Sequence, residues 1–159
     1  MFRIRSCLLT ILCAALPGMI SCSWSPAQQE ILERYNETAG YIDRNEWGSA
    51  AASLSSSTML LLDSLASDLQ TRGLHGYESA LDLLPVLCRE YIDFSGDVTM
   101  IFIQGDRAEI TLSSVESRKY FMILEGDYWK LSLEGIFRNR IDAALTGSYV
   151  RLLSVTDSL

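Results

Sequence analysis

Two stretches decide the fold: V-T-M-I-F-I-Q-G-D-R-A-E-I-T-L, residues 98–112, and R-K-Y-F-M-I-L-E-G-D-Y-W-K-L-S-L, residues 118–133. Each is a run of alternating side chains, then Gly-Asp, then a second alternating run. Glycine at the first central position of a two-residue loop suits a type II′ turn, whose twist matches that of antiparallel strands. Two β-hairpins are therefore expected. Because side chains alternate with period two, each turn also fixes which residues share a face. Counting from Gly105-Asp106, Gln104 should oppose Arg107, Ile103 should oppose Ala108, Ile101 Ile110, and Thr99 Leu112. Counting from Gly126-Asp127, Leu124 should oppose Trp129, Met122 Leu131, and Tyr120 Leu133. If the hairpins pair as a meander, these residues form one nearly all-apolar face, which is the predicted core.

The other face is mixed. Val98, Met100, Phe102, Phe121 and Ile123 alternate with Glu109, Thr111, Ser113, Lys119, Lys130, Ser132 and Glu134. That is too apolar for a face wholly in water and too charged for a buried one, so partial cover is expected. Lys119 and Glu134 fall opposite each other in this register and are expected to form a cross-strand pair.

The segments before the sheet read as helices. Ser25-Pro26-Ala27-Gln28 carries an N-cap, a proline at the first helical position and the glutamine of a capping box. Ile31, Tyr35, Ala39 and Ile42 follow at helical spacing, with Glu30 and Arg34 placed for an i,i+4 pair. Asn45 is the expected cap of a short helix bearing Trp47, Ala50, Ala51 and Leu54, ended by Ser55-Ser56-Ser57-Thr58. A third helix should turn Leu61, Leu62, Leu65 and Leu69 inward. Thr71 to Gly76 reads as a loop, and Tyr77 to Tyr91 as a helix that Pro85 should kink or split. After Glu134, the residues Phe137, Ile141, Ala144 and Leu145 allow one helix stopped by Gly147, and Tyr149 to Val155 has no clear period.

The first residues read as a targeting segment. Arg3 and Arg5 precede an apolar run from Cys7 to Ile20, too short for a spanning helix of about 20 residues but suited to the core of a signal peptide. Its end, Met19-Ile20-Ser21-Cys22, resembles the lipobox of bacterial lipoproteins, with Met where Leu is usual. The resemblance implies lipidation of Cys22, which becomes the mature N-terminus, and two or more acyl chains anchor stably where one does not. The membrane is then a partner through the N-terminal lipid, and the location is the cell envelope. Ser23 after the cysteine, rather than Asp, resembles sorting to the periplasmic side of an outer membrane where one exists. The alternative is ordinary cleavage after Ser21 or Ser23, giving a soluble secreted protein. The expected division is a signal peptide at 1–21, a lipidated tether at 22–25, helices plus sheet at 26–135, and a C-terminal extension at 136–159. Trp24, within the tether, suits a membrane interface.

Removing residues 1–21 takes away two arginines and no acid, so 11 basic and 20 acidic residues remain and the formal charge is −9. That disfavours nucleic acid as a partner and leaves anchoring to the lipid. Cys88 is then the only thiol besides Cys22, so no internal disulfide is expected, and its apolar helical setting implies a buried, inert thiol. His75 is the only histidine, alone in a predicted loop. No metal-ligand spacing, nucleophile elbow, Walker loop or dinucleotide motif is present, so neither catalysis nor a metal or other cofactor is expected.

Helices followed by a curved meander, with G-D-R-A-E-I-T-L in an early hairpin and G-D-Y-W-K-L-S-L in the last, resembles the nuclear transport factor 2-like superfamily over residues 26–135. The implied fold is α+β, with N-terminal helices packed on a curved, cone-like antiparallel β-meander. The resemblance further implies a pocket, for which Tyr35, Tyr120, Met122 and Trp129 are the candidate ligand-binding residues, and a homodimer through the outer sheet face. Cover of that face by the C-terminal tail is the alternative. Superfamily enzymes of the isomerase and dehydratase type place an Asp or His base inside the cone, and the inward strand positions here offer none. The expectation is a lipid-anchored, non-catalytic envelope protein binding a small apolar ligand or a protein partner. The alternative is a pilot or assembly-chaperone lipoprotein for a secretion or outer-membrane component.

Overall fold

A computed structural model of the chain describes the backbone of residues 24–113 and 118–147, and side chains as far as residue 141. The targeting segment, Cys22 and the stretch Tyr149 to Val155 lie outside the described residues. Five helices and four strands follow in order: α1 (Pro26–Asp43), α2 (Trp47–Ser53), α3 (Ser56–Thr71), α4 (Ala80–Tyr91), β1 (Val98–Gln104), β2 (Arg107–Leu112), β3 (Lys119–Glu125), β4 (Tyr128–Ser132) and α5 (Glu134–Gly147) among the described residues. The strands form one antiparallel sheet in the order β1-β2-β3-β4. The fold is α+β, with helices packed on one face of the meander.

The turn chemistry sets the sheet. Gly105 and Gly126 have φ of 62° and 63°, while neither following aspartate has positive φ, as a II′ turn requires. The paired residues Ile101↔Ile110, Ile103↔Ala108, Met122↔Leu131 and Leu124↔Trp129 fall as the counting predicts. Between the hairpins, Ala108 meets Met122 and Ile110 meets Tyr120, which joins the two inner faces into one. Ile101, Ile110, Met122 and Leu131 are all buried there with Ile31, Leu62, Leu84 and Leu87 from the helices and Leu54 from the α2–α3 connection. Leu124, at the rim of that face, is exposed.

One pairing differs. Val98, not Thr99, stands opposite Leu112, because the register shifts between Val98 and Met100. Thr99 is the extra residue of a bulge, and its hydroxyl donates to the Thr111 carbonyl at 3.1 Å. Gly96 makes the entry to β1 feasible: its φ is 104°, and a Cβ there would stand 3.1 Å from the Ser113 carbonyl oxygen. The predicted Lys119–Glu134 pair does not form. Lys119 reaches Glu109 on the neighbouring strand at 2.7 Å, and Glu134, already in α5, pairs with Arg138 at 2.9 Å.

In α1 the capping box is present: the Ser25 amide donates to Gln28 Oε1 at 2.9 Å, and the Gln28 amide to Ser25 Oγ at 3.3 Å. Arg34 pairs with Glu37 at 2.9 Å rather than with Glu30. Asn45 does not cap α2; it takes a left-handed φ of 58° and Glu46 is the cap residue. Ser55 is a buried N-cap for α3, and on that helix Leu62 and Ala66 are fully buried while Leu61, Leu65 and Leu69 are half-buried. α4 begins at Ala80, three residues later than its periodicity allowed, because Ser79 and Asp82 form a capping box there. Pro85 does not split it; α4 runs unbroken to Tyr91. α5 packs against the same core through Phe137, which is fully buried, so the core continues past residue 135.

Each edge of the sheet is touched by a segment from the helical layer. At β1, Gln28 Nε2 donates to the Ile101 carbonyl at 2.8 Å. At β4, the Ser55 amide donates to the Leu131 carbonyl at 2.9 Å, and the Leu133 amide to Thr58 Oγ1 at 2.9 Å. These contacts occupy the Ile101 carbonyl on one edge and the Leu131 carbonyl on the other.

Candidate functional site

Two surfaces stand out, one a cavity and one a sheet face. The cavity, about 460 Å³ and open on one side, lies where α1 passes the entry to β1. One wall is a stripe of α1 at helical spacing: Leu32, Tyr35, Asn36, Ala39, Gly40 and Asp43. The other is Phe94, Gly96, Asp97 and Val98. Tyr35 is 3% exposed, and its ring meets Phe94 edge-on at 5.7 Å and Tyr120 at 5.8 Å. Its hydroxyl, sealed from solvent, has no hydrogen-bond partner. A buried polar group left in this state costs free energy, about 1–3 kcal/mol.

Tyr120 differs from Tyr35 in one respect. Its hydroxyl donates to the Asp93 carbonyl at 2.7 Å, and Arg118 reaches both that carbonyl and the Asp93 carboxylate. Hydrogen bonds from Ser95 and the Arg118 guanidinium hold the Asp93 carboxyl down at about 2. Burial first, then the neighbouring Tyr120, Asp43 and Asp93, pushes the Tyr35 phenol well above its ordinary value. The phenol therefore stays neutral in a region of negative potential. The carboxylates of Asp43 and Asp97 make no hydrogen bond or ion pair among the described residues. Arg44, whose guanidinium passes over Gly40, is held by Glu46 at 2.7 and 3.3 Å.

Of the four pocket residues expected from sequence, Tyr35 alone lines this cavity. Tyr120 stands behind it in the aromatic cluster, and Met122 and Trp129 lie in the core beneath the helices. Phe94, Asp43 and Asp97 were not singled out by sequence. Asp43 shares the Tyr35 helical stripe, which was a usable signal, whereas nothing local ties Phe94 or Asp97 to α1.

The second surface is the outer face of the sheet. Met100, Phe102 and Phe121 are 47, 58 and 45% exposed, and Glu109 sits between the two phenylalanines in the cross-strand row Phe102–Glu109–Phe121. The Glu109–Lys119 ion pair lies beside them. No described element covers this face.

Elsewhere, His75 is exposed in the turn between α3 and α4. Burial pushes the Cys88 thiol up to about 12, so it is neutral and shielded. Among the described residues no group of three or more His, Cys, Asp and Glu side chains could hold a metal, and no helix is long and apolar enough to cross a membrane. Trp24 is half-buried against the core.

These features define an α+β domain: a four-stranded meander with one face under helices, the other uncovered by any described element, and an acidic cavity at its entry. Comparison with known proteins returns no matching family model, curated protein or solved structure.

Proposed function

We propose that this is a non-catalytic cell-envelope protein, anchored by lipid on Cys22, that works by docking a protein on the outer face of its sheet. The observation that carries the docking is the exposure of Met100, Phe102 and Phe121 on one face of the sheet, with the two phenylalanines on either side of Glu109. An exposed apolar patch of this kind is a mark of an interaction surface. A second copy of the chain is the occupant best matched. Glu109 and Lys119 adjoin the patch with opposite charge, so a twofold axis near them would place each against its complement. The lipobox-like Met19-Ile20-Ser21-Cys22 supports the anchor. A non-catalytic role fits the inner strand face, whose one titratable group, Tyr120, is committed to Asp93.

The second reading is a pilot or assembly chaperone that offers the same face to a different envelope component. Sedimentation equilibrium separates the two. A dimer that dissociates in Phe102→Glu and Phe121→Glu supports self-association, and a monomeric wild-type chain rejects it in favour of the chaperone. Membrane fractionation tests the anchor: Cys22→Ser is expected to move the protein from the membrane to the soluble fraction, and unchanged fractionation refutes lipidation.

A further inference from the structure

The outer sheet face has a competitor for its occupant within its own chain. We infer that the segment Ser148 to Leu159, which follows α5 and lies beyond the described residues, folds back over Met100, Phe102 and Phe121 as a strap, so that a partner docking there must displace it. The inference rests on that face being the docking surface proposed above and adds how its use is regulated.

Three observations point to the strap. The first is composition. S-Y-V-R-L-L-S-V-T-D-S-L holds six large apolar residues among twelve: Tyr149, Val150, Leu152, Leu153, Val155 and Leu159. Segments that stay in water are poor in such side chains, so this one calls for an apolar surface to lie on. Among the described residues, the other exposed large apolar side chains are spread over α3, α4 and the ends of β3 and β4, whereas Met100, Phe102 and Phe121 share one face. The second is charge. The segment carries one base, Arg151, and one acid, Asp157, and the patch is flanked by one acid, Glu109, and one base, Lys119. Each charge of the strap therefore has a counterpart on the face. The third is reach. Ser132 stands on the outer face opposite Phe121, and α5 begins two residues later at Glu134. Its 14 residues carry the chain about 21 Å away. Twelve extended residues span up to about 40 Å, enough to return past the β4 edge to Phe121 and Phe102.

The test is the rate at which hydrogen peroxide oxidises Met100 to its sulfoxide, read by peptide mass spectrometry. It is run on the purified full-length protein, diluted until sedimentation velocity shows monomer alone. Met122, fully buried in the core, reports any unfolding in the same sample. Thioether oxidation follows exposure, so a chain ended after Gly147 should oxidise at Met100 about threefold faster or more than the full chain, with Met122 unchanged. The double change Leu152→Asp and Leu153→Asp, in the otherwise intact chain, should do the same. The inference is overturned if all three chains oxidise Met100 at one rate, or if Met122 accelerates with Met100 in both variants. It is equally overturned if Met100 of the full chain is protected only in undiluted samples, which assigns the cover to a second copy. Absence of any outer-face association, with Met100 still uncovered by the truncation, would sink the docking reading and leave the strap standing.

Discussion

The side-chain amide of Gln28 joins the N-terminus of α1 to the free edge of β1: its oxygen accepts from the Ser25 amide at 2.9 Å while its nitrogen donates to the Ile101 carbonyl at 2.8 Å. One residue thus closes a capping box and occupies an edge acceptor 73 positions away in sequence. Gln28→Ala should cost about 1–2 kcal/mol of stability by chemical denaturation. Gln28→Glu keeps the accepting oxygen but loses the donor, so it should recover only part of that loss. Full recovery by Glu would show that the Ile101 contact contributes nothing.

The sheet register predicts opposite outcomes at adjacent positions. Leu131 is fully buried beside Met122, and Ser132 is half-exposed on the outer face. Leu131→Ala should cost about 2–5 kcal/mol, while Ser132→Ala should be nearly neutral. Equal effects in denaturant titrations would contradict the register.

Glu125 anchors the start of α3 from the sheet. Its two carboxylate oxygens accept from the Ser56 amide and the Ser56 hydroxyl, both at 2.7 Å. A carboxylate at a helix N-terminus also meets the positive end of the helix dipole. Glu125→Ala should destabilise the protein by about 1–2 kcal/mol and speed hydrogen exchange in the first turn of α3. Unchanged exchange there would remove this contact from the account.

Tyr35 and Tyr120 predict an alkaline limit. Burial, the first cause for both, raises each phenol above its ordinary value near 10. The unfolded chain would release these protons near pH 10 while the folded chain retains them. Stability from this source is therefore complete below about pH 10 and declines as pH rises beyond it. In an ultraviolet titration, two of the seven tyrosines should ionise only with unfolding. Ionisation of all seven near pH 10 with the fold intact would refute the burial.

The sequence by itself determined the two hairpins, the face that Ile101, Ile110, Met122 and Leu131 share, and the capping box of α1. Each follows from turn geometry and from the period of side chains within a few residues. Only the tertiary structure decided the Thr99 bulge, the exchange of Lys119's partner from Glu134 to Glu109, the holding of α3 by Glu125, and the meeting of Asp43, Tyr35, Phe94 and Asp97 around one cavity. Local pattern states which way a side chain faces along its own element. It does not state which distant backbone group or carboxylate will stand opposite, because that depends on how α1 settles across the sheet once the common core is packed.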